Sequence, residues 1–261
     1  MLQTVIRKMS LLTSWLWLVI SLVPLIVLER WIHRHLQGVW LLLVRDADLA
    51  LILYSLLMLP GVLVHEASHW VAATLLGVKA GRFSVVPERL PDGTLRLGYV
   101  ETEHVDPLRE ALIGAAPLLA GAAVIIFVGY SRLGVEPLGA ALGRGDLLGM
   151  SRAVRDMTGL PNFWLWLYLV FTVSNSMLPS ASDRRAWWPV LGTLIVFTVL
   201  LFAFGLGPVL LQTLGDPFDA ATRALAAAFT ITVCLNVVFA PLIWLLESGL
   251  IRLTGMKVEY Q

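Results

Sequence analysis

The sequence predicts an all-α polytopic membrane protein of about six transmembrane helices, interrupted by a β-hairpin after the second. Three observations predict it. Of 261 residues, 58% are hydrophobic and only 14% are charged, whereas a soluble domain keeps roughly a quarter of its residues charged. Mean hydropathy is +0.80, so lipid rather than water is the natural solvent for much of the surface. The apolar residues also fall into runs near the length of about 20 residues that one crossing needs.

The first run, about 11–28, follows the basic pair Arg7 and Lys8. It is long and lacks a small-residue cleavage site, so it reads as a retained span rather than a removed signal peptide. Further runs lie at about 49–76, 110–130, 161–178, 188–211 and 223–247. Pro24, Pro60, Pro117, Pro208 and Pro241 fall inside them, which membrane helices tolerate with a kink. Gly205, Gly207 and Pro208 are where the fifth run would break early. Between the second and third runs, residues 80–105 read as the hairpin: Arg82 to Val86, a Pro91-Asp92-Gly93-Thr94 turn, then Leu95 to Glu103 in alternation. Residues 145–157 are polar and apolar by turns, as in a short interfacial helix or a solvated loop.

These runs divide the chain into a first span and loop (1–48), a core (49–187) and C-terminal spans (188–261), with no internal repeat and no appended soluble domain. A small majority of the 19 Lys and Arg residues falls on the inner side if the N-terminus is cytoplasmic, the direction the positive-inside rule expects. Six alternating crossings would then place both termini inside. A net charge of +1 gives no case for nucleic acid as a partner, and Cys234, the only cysteine, excludes an intrachain disulfide.

The second run contains His65-Glu66-Ala67-Ser68-His69. Histidines four apart project from one helix face, one turn above the other. Two such imidazoles can hold one zinc ion, and Glu66 sits where a carboxylate can take a proton from an activated water. The flanks, Tyr54 to Val64 and Trp70 to Leu76, are almost wholly apolar. Polar groups at that depth are costly unless they bind something or line a wet cavity. With the span starting near Leu49, His65 lies about 24 Å along it at 1.5 Å per residue, in the last third of the crossing. The bland alternative is a polar patch satisfied by neighbouring helices.

A catalytic zinc takes three protein ligands and keeps one position for water. His33, His35 and His104 are expected in loops, without ligand spacing to the motif. Asp183, just after the fourth run, is the better third ligand. Spans two and four run in the same direction if the third is a true crossing, so the ends carrying His69 and Asp183 emerge on one side. The alternative for Asp183 is an interfacial carboxylate paired with Arg184 or Arg185.

Together these residues resemble the site-2 protease family of intramembrane zinc metalloproteases, over roughly residues 50–185. His65 to His69 fits the family's HExxH in a membrane helix. The segment 80–105 falls where the family has a membrane-associated β-hairpin, and Gly114-Ala115-Ala116-Pro117 opens the third span much as the family's Ala-Gly-Pro segment does. Asn175 and Asp183 stand eight apart, like the asparagine and ligand aspartate of the family's NxxPxxxxD pattern. The chain departs from that pattern at Pro179, four rather than three after Asn175, at Arg184 in place of a glycine, and at Ala120 in place of an asparagine.

The resemblance implies a zinc metalloendopeptidase with His65, His69 and Asp183 on the metal, Glu66 as the catalytic base and Asn175 near the substrate backbone. It implies a membrane-protein substrate whose transmembrane segment unwinds and is captured at a hairpin edge by β-addition. The setting would be a bacterial or archaeal cell membrane, with the fifth and sixth spans as natural gates. Two other classes stay open: a zinc-binding pseudoprotease acting as a scaffold, which Arg184 and Ala120 favour, and an accessory subunit whose ten tryptophans form an interfacial belt. Zinc content and Glu66-dependent cleavage separate them.

Overall fold

A computed structural model describes residues 2–86, 88–89, 95–96, 98–256 and 258, with the backbone alone described for 2–11, 88–89 and 95–96. The described part of the chain is mostly helical, at 79%. Helix α1 (Leu2–Val44) runs without a break into Arg45, and α2 (Ala47–Leu75) starts at once behind the N-cap Asp46. The Asp46 carboxylate accepts from the Leu49 amide at 2.8 Å, satisfying one orphan donor of the new helix. Strands β1 (Ala80–Ser84), β2 (Glu88–Arg89), β3 (Leu95–Arg96) and β4 (Tyr99–Thr102) follow. Antiparallel pairing of β1 with β4 and of β2 with β3 makes the predicted hairpin, in a register of Ser84 against Tyr99 and Glu88 against Arg96. The expected Pro91 to Thr94 turn lies outside the described residues.

Helix α3 (Pro107–Ser131) starts on a proline behind a second carboxylate cap, Asp106. The short helices α4 (Glu136–Arg144) and α5 (Leu147–Thr158) come next, so the 145–157 segment forms a helix rather than a loop. Then come α6 (Phe163–Ser174), α7 (Trp187–Ala203) and α8 (Gly207–Thr254).

Among the described residues, four helices are long and apolar enough to cross a membrane: α1 over Leu12–Val44, α2, α3 and α8. The remaining predicted spans are shorter. The fourth is a helix of 12 residues and the fifth one of 17, about 18 and 26 Å at 1.5 Å per residue, against a hydrocarbon core of about 30 Å. The fifth ends at Phe204 and Gly205, the latter with φ of 77°, a left-handed conformation natural to glycine. The first and last are longer than hydropathy drew them. Glu29, Arg30 and Arg34 lower the hydropathy of α1 but leave its backbone ladder intact, so His33 and His35 stand on a helix and not in a loop.

Buried positions on α8 recur at every seventh residue, Gly215, Thr222, Phe229, Asn236 and Ile243; on α1, Ser14 and Ser21 stand seven apart, as do Leu25, Ile32 and Val39. A seven-residue repeat keeps one seam turned toward a partner along the whole length. The seam joins the two ends of the chain. Trp17 Nε1 donates to Thr230 Oγ1 at 2.9 Å and His35 lies 2.5 Å from Glu247, so α1 and α8 run parallel. Six alternating crossings would make the first and last antiparallel; the parallel pair corrects that expectation and the return of the C-terminus to the N-terminal side. One core cluster draws on four helices: Leu25 of α1, Ile125 and Val128 of α3, Val170 and Val173 of α6, and Phe229 of α8 pack together, buried.

Candidate metal centre

Helix α2 continues through Pro60 and brings His65 and His69 to one face, with ring centroids 4.9 Å apart. The third participant arrives differently. Helix α6 runs alongside α2 in the same direction, Tyr168 donating to the Leu57 carbonyl at 2.8 Å, and stops at Ser174. Residues 175–186 continue as turns and irregular backbone. Irregular backbone is tolerated at membrane depth only where protein buries it or it lines a cavity, and this segment does line one.

Two glycines let it come close. A Cβ on Gly61 would sit 2.1 Å from the Thr172 carbonyl oxygen, and one on Gly114 would sit 2.1 Å from that of Asp183. Any side chain at either position would push α6, or the Asp183 turn, off its neighbour. Trp187 Nε1 closes the segment by donating to the Ala111 carbonyl at 3.2 Å.

The result is a three-residue cluster. One ligand atom each from His65, His69 and Asp183 lies within 4.8 Å of the others. His69 Nε2 is 3.2 Å from His65 Nε2 and 3.3 Å from Asp183 Oδ1, and His65 Nε2 is 3.7 Å from Asp183 Oδ2. Ser180 orients the carboxylate, donating to Oδ2 from its amide at 2.7 Å and its hydroxyl at 2.6 Å.

The ring nitrogens facing away decide the chemistry. His65 Nδ1 is 2.6 Å from the Ser176 carbonyl and His69 Nδ1 is 2.9 Å from the Ile113 carbonyl. A carbonyl oxygen only accepts, so both Nδ1 atoms carry a proton, and each ring, when neutral, presents Nε2 as a bare lone pair. With both rings neutral, two lone pairs and a carboxylate converge with no proton between them. That arrangement repels itself unless a cation sits among the three, and a backbone carbonyl behind each imidazole is the usual support of a metal-bound histidine. The cluster could hold a metal ion.

A cavity of about 980 Å³ opens on the cluster. Glu66 lines it beside the two histidines and is 8% exposed. Tyr99, Val100 and Thr102 of β4 line another wall. Just before β4, Gly98 passes so close that a Cβ there would lie 2.9 Å from Glu66 Cγ and 3.0 Å from the Ser84 carbonyl oxygen.

Asn175 also lines the cavity, but its side-chain amide is engaged elsewhere. It forms a reciprocal pair with Asn236 of α8, at 3.0 and 3.1 Å, and donates to the Phe171 carbonyl at 2.9 Å. Arg184 is exposed, with Nε 3.2 Å from the Ser180 carbonyl. Neither Arg184 nor Ala120 is among the residues lining the cavity. Two participants escaped the sequence reading. His33 of α1 lines the cavity and bonds to the Asn175 carbonyl at 2.7 Å, and Asn236 holds the Asn175 side chain. The available signal for both was a polar residue inside an apolar helix. In comparisons with known proteins, no family model, no curated protein and no solved structure matches this chain.

Proposed function

We propose that this chain is an intramembrane zinc metalloprotease of the site-2 protease type, hydrolysing a peptide bond in or near a transmembrane segment of a membrane-protein substrate. The observation that carries the reading is the convergence of His65, His69 and Asp183, beside Glu66, on a cavity that β4 also lines. Two imidazoles and one carboxylate are a donor set that suits zinc and leaves a position open. Bound there, zinc would supply a Lewis acid that polarises the scissile carbonyl and acidifies the attacking water.

The remaining work falls to the chain itself. The Glu66 carboxylate takes the water proton as oxygen adds to the carbonyl carbon, and returns it to the leaving amine as the C–N bond breaks. A helical substrate has its amides engaged in its own ladder, so the segment to be cut must first unwind. As the edge of a two-stranded sheet on the cavity wall, β4 suits capture of that extended segment by strand addition. Asn175 could touch substrate only if its pair with Asn236 opened; closed, it holds the loop. Ala120 and Arg184, the departures that favour a scaffold, both lie off the cavity, which supports an enzyme instead. The setting we propose is a bacterial or archaeal cell membrane, with the N-terminus cytoplasmic and the cluster toward the cytoplasmic face.

The test compares wild type with Glu66→Gln, purified and co-expressed with a single-span substrate. The reading expects about one zinc per chain in both and cleavage in the wild type alone. Cleavage persisting in Glu66→Gln, or no zinc in the wild type, would overturn it.

A further inference from the structure

Past the end of a helix the backbone carbonyls have no partner in the ladder. At the end of α6, Asn175 and Ser176 give theirs to two imidazoles: His33 Nε2 lies 2.7 Å from the Asn175 oxygen and His65 Nδ1 lies 2.6 Å from the Ser176 oxygen. Adjacent residues of one dipeptide are therefore held by α1 and hold a metal-cluster residue of α2.

The state of His33 is itself fixed. Its Nε2 faces a carbonyl and must carry the proton, which leaves Nδ1 to accept from the Tyr54 hydroxyl bonded to it. Tyr54 thereby selects the tautomer that can donate to Asn175. Glu29, at 3.7 Å from His33 Nε2, is too far for a hydrogen bond. With both nitrogens engaged, His33 offers the cluster no lone pair, which separates it from His65 and His69. From the other side, α8 grips the same residue: the Asn175 and Asn236 side chains, 1% and 0% exposed, exchange two hydrogen bonds.

We propose that His33 of α1 and Asn236 of α8 are positioning residues for the metal centre, fixing the Asn175–Ser176 backbone so that the Ser176 carbonyl sets the ring of His65. Without the His33 donor, the Asn175 carbonyl is left unsatisfied inside the protein. The dipeptide then turns to find another partner and carries the His65 support with it. This rests on the metal-centre reading for one of its two readouts and on the fold alone for the other.

The first readout is cobalt titration of metal-depleted, full-length protein in detergent, following the d–d absorption that reports ligand geometry. His33→Ala and Asn236→Leu are each expected to weaken cobalt binding about tenfold, the lower end of what outer-shell losses cost, and to alter the spectrum. His33→Gln, whose amide can still donate to Asn175, should stay within about threefold of wild type. His35→Ala is the control: two residues along α1, it loses a bond to Glu247 and should lower thermal stability while leaving the cobalt spectrum unchanged.

The second readout needs no metal. In protein labelled with ¹⁵N-histidine, the His65 Nδ1–H resonance, assigned by its loss in His65→Gln, should move in His33→Ala and return in His33→Gln. A wild-type cobalt affinity and spectrum in both His33→Ala and Asn236→Leu would overturn the proposal, as would an equal loss in His35→Ala. If the wild type takes up no cobalt, the protease reading falls and the resonance decides alone; an unmoved His65 signal in His33→Ala then overturns the positioning role.

Discussion

The seam between α1 and α8 and the metal cluster each set histidine beside a carboxylate, and they differ in what the side chains leave over. In the seam between α1 and α8, His35 Nδ1 meets Glu247 Oε2 at 2.5 Å, with Trp31 stacked on the imidazole at 4.0 Å. A donor faces an acceptor there, and the glutamate side chain is only 5% exposed. At the metal cluster both Nδ1–H groups are taken by the Ile113 and Ser176 carbonyls, so with neutral rings three acceptors face one another. The residue types are the same. A buried histidine closes a structure when donor meets acceptor, and makes a site when acceptors converge without a proton to share.

The comparison breaks most sharply at Asp183. In Asp183→Ala two nitrogens remain, and metal affinity should fall by more than the roughly 10- to 100-fold that loss of an outer-shell partner costs; titration against a competing chelator measures it. Retained affinity would mean that the cluster is a polar patch after all. Next in size is Gly98→Ala, which places a methyl group 2.9 Å from Glu66 Cγ. If the chain is the protease proposed above, cleavage should drop about tenfold, since displacing a reacting group by about 1 Å costs up to about a hundredfold, while zinc content holds.

For the seam the expected effect is on stability alone. His35→Ala removes the bond from His35 to the buried Glu247 carboxylate and should cost about 3 kcal/mol in denaturant unfolding, whereas His35→Leu with Glu247→Leu together should come within about 1 kcal/mol of wild type. A metal-affinity change in the double variant would erase the distinction between the two places. The smallest effect is expected at Trp187→Phe, where losing the hydrogen bond to Ala111 should cost about 1 kcal/mol and barely change zinc affinity.

What the sequence made legible follows from the reach of local rules. The spacing of His65 and His69 is a helix period, and the parity of spans two and four is enough to send Asp183 to the same side. The hairpin is legible in alternation and a turn signal. Other features depend on atoms that residue types do not mark. The carbonyls of Ile113 and Ser176 orient the imidazoles, and any residue would supply them. His33 was assigned to a loop because the charges around it end a hydropathy window, although they do not end a helix. Asn236 is one amide in a long apolar run whose partner lies 61 positions away. Hydropathy counts crossings but not where a helix stops, so the short α6 and the parallel run of α1 with α8 were out of its reach.

That parallel seam also sets an order of events at the ribosome. Chains emerge N-terminus first, so α1 is delivered before the helices that lie between and α8 after them. The Asn175 backbone and side chain are held by one helix from each end. The segment carrying Asp183 is therefore made, and lies in the nascent protein, well before its second clamp exists. A centre built this way matures only when α8 slots in beside α1, and a chain truncated before Asn236 would carry all three cluster residues without the frame that aligns them.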